Sequence, residues 1–110
     1  MTAHGSLNGI GPNFHGTFVA EGFRIQVSGL LFQPAHSFQA PSVALTYESL
    51  EDLQGSYNIA HDATSSYIGT SDLSLNLKNE QDRAASISGP LLEPTDEKQA
   101  VSGVIHFERV

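Results

Sequence analysis

Apolar residues return at every second position in four separate stretches of this chain: Phe23, Ile25 and Val27; Val43, Leu45 and Tyr47; Leu73, Leu75 and Leu77; Val101, Ile105 and Phe107. Successive side chains of a β-strand point to opposite faces, so a period of two marks a strand with one buried face. The positions between are mostly polar, as with Arg24 and Gln26 or Ser74 and Asn76. Strand candidates cover residues 14–20, 23–32, 43–47, 56–60, 66–70, 73–78, 84–88 and 100–110, separated by turn residues. No two of them flank a helix long enough for a parallel crossover. The expected fold is a single all-β domain over residues 1–110, an antiparallel β-sandwich or small closed β-barrel of about eight short strands.

The pattern is interrupted in informative places. Gly5, Gly9, Gly11 and Pro12 make residues 1–13 either a flexible arm or a bulged N-terminal strand. Glu21-Gly22 between two strand runs signals a hairpin. Gly29 followed by Leu30-Leu31-Phe32 predicts a bulge or bend in the second run, and Ser49 to Asp52 has capping spacing for one helical turn. No internal repeat or low-complexity tract is evident.

Composition narrows the setting. The 110 residues include no cysteine, which removes disulfides, thiolate metal sites and a cysteine nucleophile. The start lacks a basic segment followed by an apolar run, and no stretch is apolar enough for a spanning helix. A soluble cytoplasmic domain is the expectation, with secretion after removal of a leader as the alternative. The formal charge is −7, and between Arg24 and Lys78 there is no base. Glu48, Glu51, Asp52, Asp62 and Asp72 fall in that interval. Such a field repels phosphate, so neither nucleic acid nor a membrane is an expected partner.

No motif discloses a reaction. The five histidines form no helical zinc pair, and His106 reads as an outward strand residue between Ile105 and Phe107. Gly9-Ile10-Gly11 leads into Pro12, which breaks a dinucleotide fingerprint, and no Gly-x-Ser-x-Gly elbow is present. No cofactor or metal is expected, and no catalytic residue is assigned.

The most suggestive segment is 55–72, rich in tyrosine, serine, asparagine and glycine, the chemistry of adaptable contact surfaces. Tyr57, His61, Asp62, Ser65 and Tyr67 are the candidate contacts, although Tyr57 shares its strand phase with Ile59 and fits a core position equally. The functional expectation is an acidic, non-catalytic binding module that meets a protein or a carbohydrate through this segment. The alternative is a barrel holding a small apolar ligand inside, with catalysis an option. An unprotected edge on the last strand would further allow a homodimer.

Overall fold

The computed structural model describes residues 1–32, 37–59, 66–95 and 98–109. Ten strands are found there: β1 (Thr2–Ile10), β2 (Asn13–Ala20), β3 (Phe23–Leu31), β4 (Phe38–Thr46), β5 (Gly55–Ile59), β6 (Tyr67–Ile68), β7 (Asp72–Lys78), β8 (Ala84–Pro90), β9 (Gln99–Ala100) and β10 (Gly103–Arg109). A single turn of 3-10 helix, Leu50–Asp52, follows β4. No helix among the described residues is long and apolar enough to cross a membrane.

Pairing is antiparallel throughout and closes into an eight-stranded barrel, the smaller strands being broken halves of longer ones. β5 and β6 form one interrupted strand between β7 on one side and β9–β10 on the other. Ile59 pairs with Gly103 and Leu77, whereas Tyr67 pairs with Ala100 and Ser74. Between these pairs each neighbour has two residues, 75–76 on β7 and 101–102 on the β9–β10 side. Ser66, fully buried, mends the interruption. Its carbonyl accepts from Val101 N at 3.2 Å, and its hydroxyl accepts from Asn76 N at 3.0 Å.

Around the ring the order is β4-β1-β2-β3 and then β10-β5-β7-β8. Each set of four is a Greek key. The two keys repeat one another. In the first, Phe14, Gly16 and Phe18 pair with Gly29, Val27 and Ile25; in the second, Leu73, Leu75 and Leu77 pair with Gly89, Ile87 and Ala85. Leu31 N donates to Pro12 O, and Leu91 N donates to Ser71 O, at the same point of each key. The sequence repeats sixty positions apart: Val27-Ser28-Gly29 with Ile87-Ser88-Gly89, Gln39-Ala40 with Gln99-Ala100, and Leu45, Tyr47 and Glu48 with Ile105, Phe107 and Glu108. The absence of a repeat expected above is therefore corrected. Substitution has blurred the match, and the stretch between the first and second strands is longer in the second key.

Side chains fill the interior, as eight strands allow. Leu7, Phe18, Ile25, Leu45, Ile87 and Ile105 are among the residues at or near complete burial. Two rings lie directly across a cross-strand glycine. Phe14 pairs with Gly29 and Phe38 with Gly9; a Cβ on those glycines would stand 2.1 and 2.2 Å from the ring. Glycine here makes room for an aromatic ring that the narrow lumen could not otherwise hold.

Several local expectations change. Residues 1–13 are no arm, because Thr2–Ile10 is a strand paired on both sides. The bulge does not fall at Gly29, where β3 runs in unbroken register with Leu31 inward and Leu30 and Phe32 outward. It lies in β4 between Ala40 and Val43, opposite the step from Gly5 to Leu7. The last strand offers no open edge, since β10 pairs with β3 and with β5.

Gly29→Ala is expected to cost about 1–3 kcal/mol by overpacking against Phe14. Phe14→Leu in the same chain should recover part of that loss, and a double-mutant cycle in urea measures the coupling. Ser66→Ala removes the acceptor of Asn76 N–H and should cost a further, separate amount of about 1–3 kcal/mol. Ser66→Thr, which keeps the hydroxyl, should lose less.

Candidate functional site

Of the residues singled out in 55–72, the structure describes Tyr57 and Tyr67. Tyr57 belongs to the core at 1% exposure, which leaves its ring no contact face. It meets Phe107 edge-on, with centroids 5.4 Å apart, and its hydroxyl donates to Asp52 O at 2.6 Å. Burial, and then the Asp52 charge, push its ionisation above the usual tyrosine range. His61, Asp62 and Ser65 lie outside the described residues. Tyr67 is half-buried on β6. Its hydroxyl donates to Asp72 Oδ2 at 3.2 Å, and Lys98 Nζ stands 4.2 Å above its ring centroid.

A more extended feature lies on the outer wall made by β2, β3, β10 and β5. The alternation that buries Val27, Ile105 and Phe107 turns the residues between them outward. Cross-strand register then lines up His15, Ser28, His106 and Ser56 in one row. The neighbouring row toward β3's start holds Thr17, Gln26 and Glu108, and the row toward its end holds Asn13, Leu30, Val104 and Asn58.

Three shallow hollows follow these rows. One of about 270 Å³ is bordered by His15, Thr17, Gln26, Ser28, His106 and Glu108. A second of about 350 Å³ shares Ser28 and His106 and adds Leu30, Val104 and Ser56. A third of about 340 Å³ shares Ser56 and continues over Gln54, Asn58, Asn79 and Gln81. They form one belt across the strands, lined by amides, hydroxyls and imidazoles. Among its described lining residues there is no lysine or arginine, and the carboxylates are Glu108 and Glu80.

Chemically the belt can donate and accept hydrogen bonds at many points. Ser56 Oγ and His106 Nδ1 share one at 3.3 Å, but both residues are exposed on the wall. A serine beside an imidazole in open water lacks the dry, oriented setting that makes a nucleophile. No group of three metal-ligating side chains occurs among the described residues.

The second Greek key supplies an internal control. Its corresponding wall is β7, β8, β4 and β1. By register, Ser74 stands where the first wall has His15, Thr46 where it has His106, Ser86 where it has Gln26, Pro90 where it has Leu30, and Ala44 where it has Val104. Ser28 and Ser88 are shared, as are Glu108 and Glu48. The seams between keys differ by two residues, since His106 adjoins Ser28 whereas Thr46 adjoins Ser86. At these five positions the first wall carries the larger side chains, whereas Asn76 stands where it has Thr17 and His4 where it has Asn58. Of these the outward phases of Gln26 and His106 were legible in the sequence. The sixty-residue repeat was the signal that would have exposed the rest.

No protein-family model matches the chain, and no curated protein or solved structure matches it either.

The Asp72 charge, followed by partial burial and the hydrogen bond to Asp72, raises the ionisation of Tyr67. Asp72→Asn should therefore move one of the three tyrosine titrations downward and leave the other two in place. Tyrosinate absorbance against pH reads this directly; a titration curve identical to wild type would refute the assignment.

Proposed function

We propose that this chain is a non-catalytic binding module, and that its contact surface is the belt on the outer wall of β2, β3, β10 and β5. The observation that carries the reading is the contrast between the two walls. Equivalent strands of one fold present His15, Gln26, Leu30, Val104 and His106 on one side, and Ser74, Ser86, Pro90, Ala44 and Thr46 on the other. Thr17 and Asn58 are matched by the larger Asn76 and His4, so the contrast is confined to the part of the belt around His15, Gln26 and His106. Folding places similar demands on both walls, and larger hydrogen-bonding side chains in that part of one of them support contact with something outside.

The partner class is a protein or a carbohydrate. Both are met by uncharged hydrogen-bonding groups beside an apolar ledge, here Leu30 and Val104. The sparse carboxylates and the formal charge of −7 disfavour polyanionic ligands. A ligand held inside the barrel would require the buried rings of Phe14, Phe18 and Tyr57 to move aside, which weighs against the cavity reading.

The module reading is tested by replacing one wall with the other. The variant His15→Ser, Gln26→Ser, His106→Thr exchanges exposed residues for those of the second key. It is expected to keep the thermal transition of the parent within a few degrees, since these are surface changes of about 0.5 kcal/mol or less each. Affinity for a protein or oligosaccharide ligand found by array screening should fall about tenfold or more, as loss of contacts worth about 1.4 kcal/mol requires. Undiminished binding by that variant would show that the contact surface lies elsewhere.

A further inference from the structure

The belt follows a longer regularity than its hollows show. Register carries the row of His15, Ser28, His106 and Ser56 on through two more strands, because His15 pairs with Asn8 and Asn8 with Gln39. Six successive strands, β4, β1, β2, β3, β10 and β5, thus present Gln39, Asn8, His15, Ser28, His106 and Ser56 side by side. Each is an amide, a hydroxyl or an imidazole, and each of these groups both donates and accepts hydrogen bonds when neutral. No carboxylate, ammonium or guanidinium interrupts the row. Neighbouring strands lie about 4.8 Å apart, so the groups recur at about that interval. The longest comparable run on the second wall, Asn76, Ser86, Thr46 and Thr2, spans four strands.

The central groups of this row have bonding capacity to spare. Among the described residues, the side chains of His15 and Ser28 make no hydrogen bond within the chain, and His106 and Ser56 share a single one at 3.3 Å. On the second wall, Ser74 and Asn76 already have partners within the chain. Leu30 and Val104, paired side by side, flank the row as an apolar ledge, and Gln26 stands on its other flank. The described residues lining the three hollows include no arginine or tryptophan, and their one tyrosine, Tyr57, is buried. Those are the anchors on which protein–protein contacts most depend.

We infer that the belt takes a neutral linear oligosaccharide laid across the strands, a specification that rests on the belt reading above. A sugar chain offers hydroxyls along its edges, which donate and accept at once, and C–H groups on its ring faces, which sit against apolar side chains. The row and the ledge supply those two partners in parallel. A pyranose ring is close to one strand spacing in length, so successive sugars meet successive strands. In a ring of eight, each strand turns the wall by an eighth of a circle, so a straight ligand meets about three or four strands before the surface falls away. His15, Ser28, His106 and Ser56 are that central run. With no base on the belt and Glu108 beside it, a neutral chain is favoured over one carrying carboxylates or sulfates.

Amide chemical shifts of the isotope-labelled protein test this against neutral gluco-, xylo-, manno- and galacto-oligosaccharides of two to six sugars. Concentrations up to about 10 mM reveal contacts with a Kd near 1 mM. At least one series should shift the amides of β2, β3 and β10, with affinity rising to three or four sugars and then levelling. His15→Ala/His106→Ala should weaken that ligand about tenfold, and Ser86→Ala on the second wall should leave it unchanged. Hexagalacturonate should bind more weakly than the neutral chain. Thermal melts establish that both variants are folded. If no neutral oligosaccharide shifts any amide, the inference is overturned, and the belt reading is then decided by its own wall-exchange variant with a protein ligand. Shifts confined to another face of the barrel overturn this inference and the belt reading together. Tighter binding of hexagalacturonate, or an affinity indifferent to the double variant, overturns the assignment of a neutral chain to this row.

Discussion

Closure of the ring depends on a short seam. Between β5 and β7 the ladder has two residue pairs, Asn58 with Lys78 and Ile59 with Leu77, before residues 60–66 intervene. On their other sides both strands are held by longer runs, β5 by β10 and β7 by β8. An open sheet of this composition would leave two edges and half of its apolar faces in water. The seam therefore matters beyond its length, and Ser66 lengthens it by standing in for a ladder residue on both sides. One hydroxyl and one carbonyl carry the pairing past the interruption to β6.

Closure also explains the distribution of glycine. A ring of eight strands has a lumen just wide enough to be filled by side chains. Phe14 and Phe38 are too large for it unless the residue across the strand gives up its own side chain, and Gly29 and Gly9 do so. The same glycines that made residues 1–13 resemble an arm, and made Gly29 resemble a break, are thus packing partners in regular strands. Composition alone could not separate those cases, because it records that a side chain is missing and not what occupies the space.

The scaffold was legible where burial is one-sided. Phe23 to Val27, Val43 to Tyr47 and Leu73 to Leu77 alternate cleanly, and the all-β class and strand number follow from them. Tyr57 illustrates the limit: a tyrosine in a serine- and asparagine-rich stretch has the composition of a contact loop, yet its strand phase with Ile59 placed it in the core. The wall carrying His15, Ser28 and His106 was invisible for a different reason. Its row exists only through cross-strand register among β2, β3 and β10, which draws together residues ninety positions apart. The duplicated Greek key was masked by substitutions that keep size and polarity class while changing identity, as with Val27 and Ile87 or Tyr47 and Phe107.

Repetition of the key also sets an order of assembly. Within each key the strands pair mostly with sequence neighbours or near neighbours, so the loops to be closed are short. The two joints between keys are different, since β3 must wait for β10 and β4 for β8. The first key occupies residues 2–46 and can gather its four strands while the second is still being synthesised, but its outer strands β3 and β4 then stand as bare edges. During that interval the half-built barrel is at its most adhesive, and the polar, bulged run of Pro41 and Ser42 in β4 lies on one of those edges. A feature that looks like a local irregularity in the finished ring is, for the nascent chain, a guard against pairing with the wrong strand.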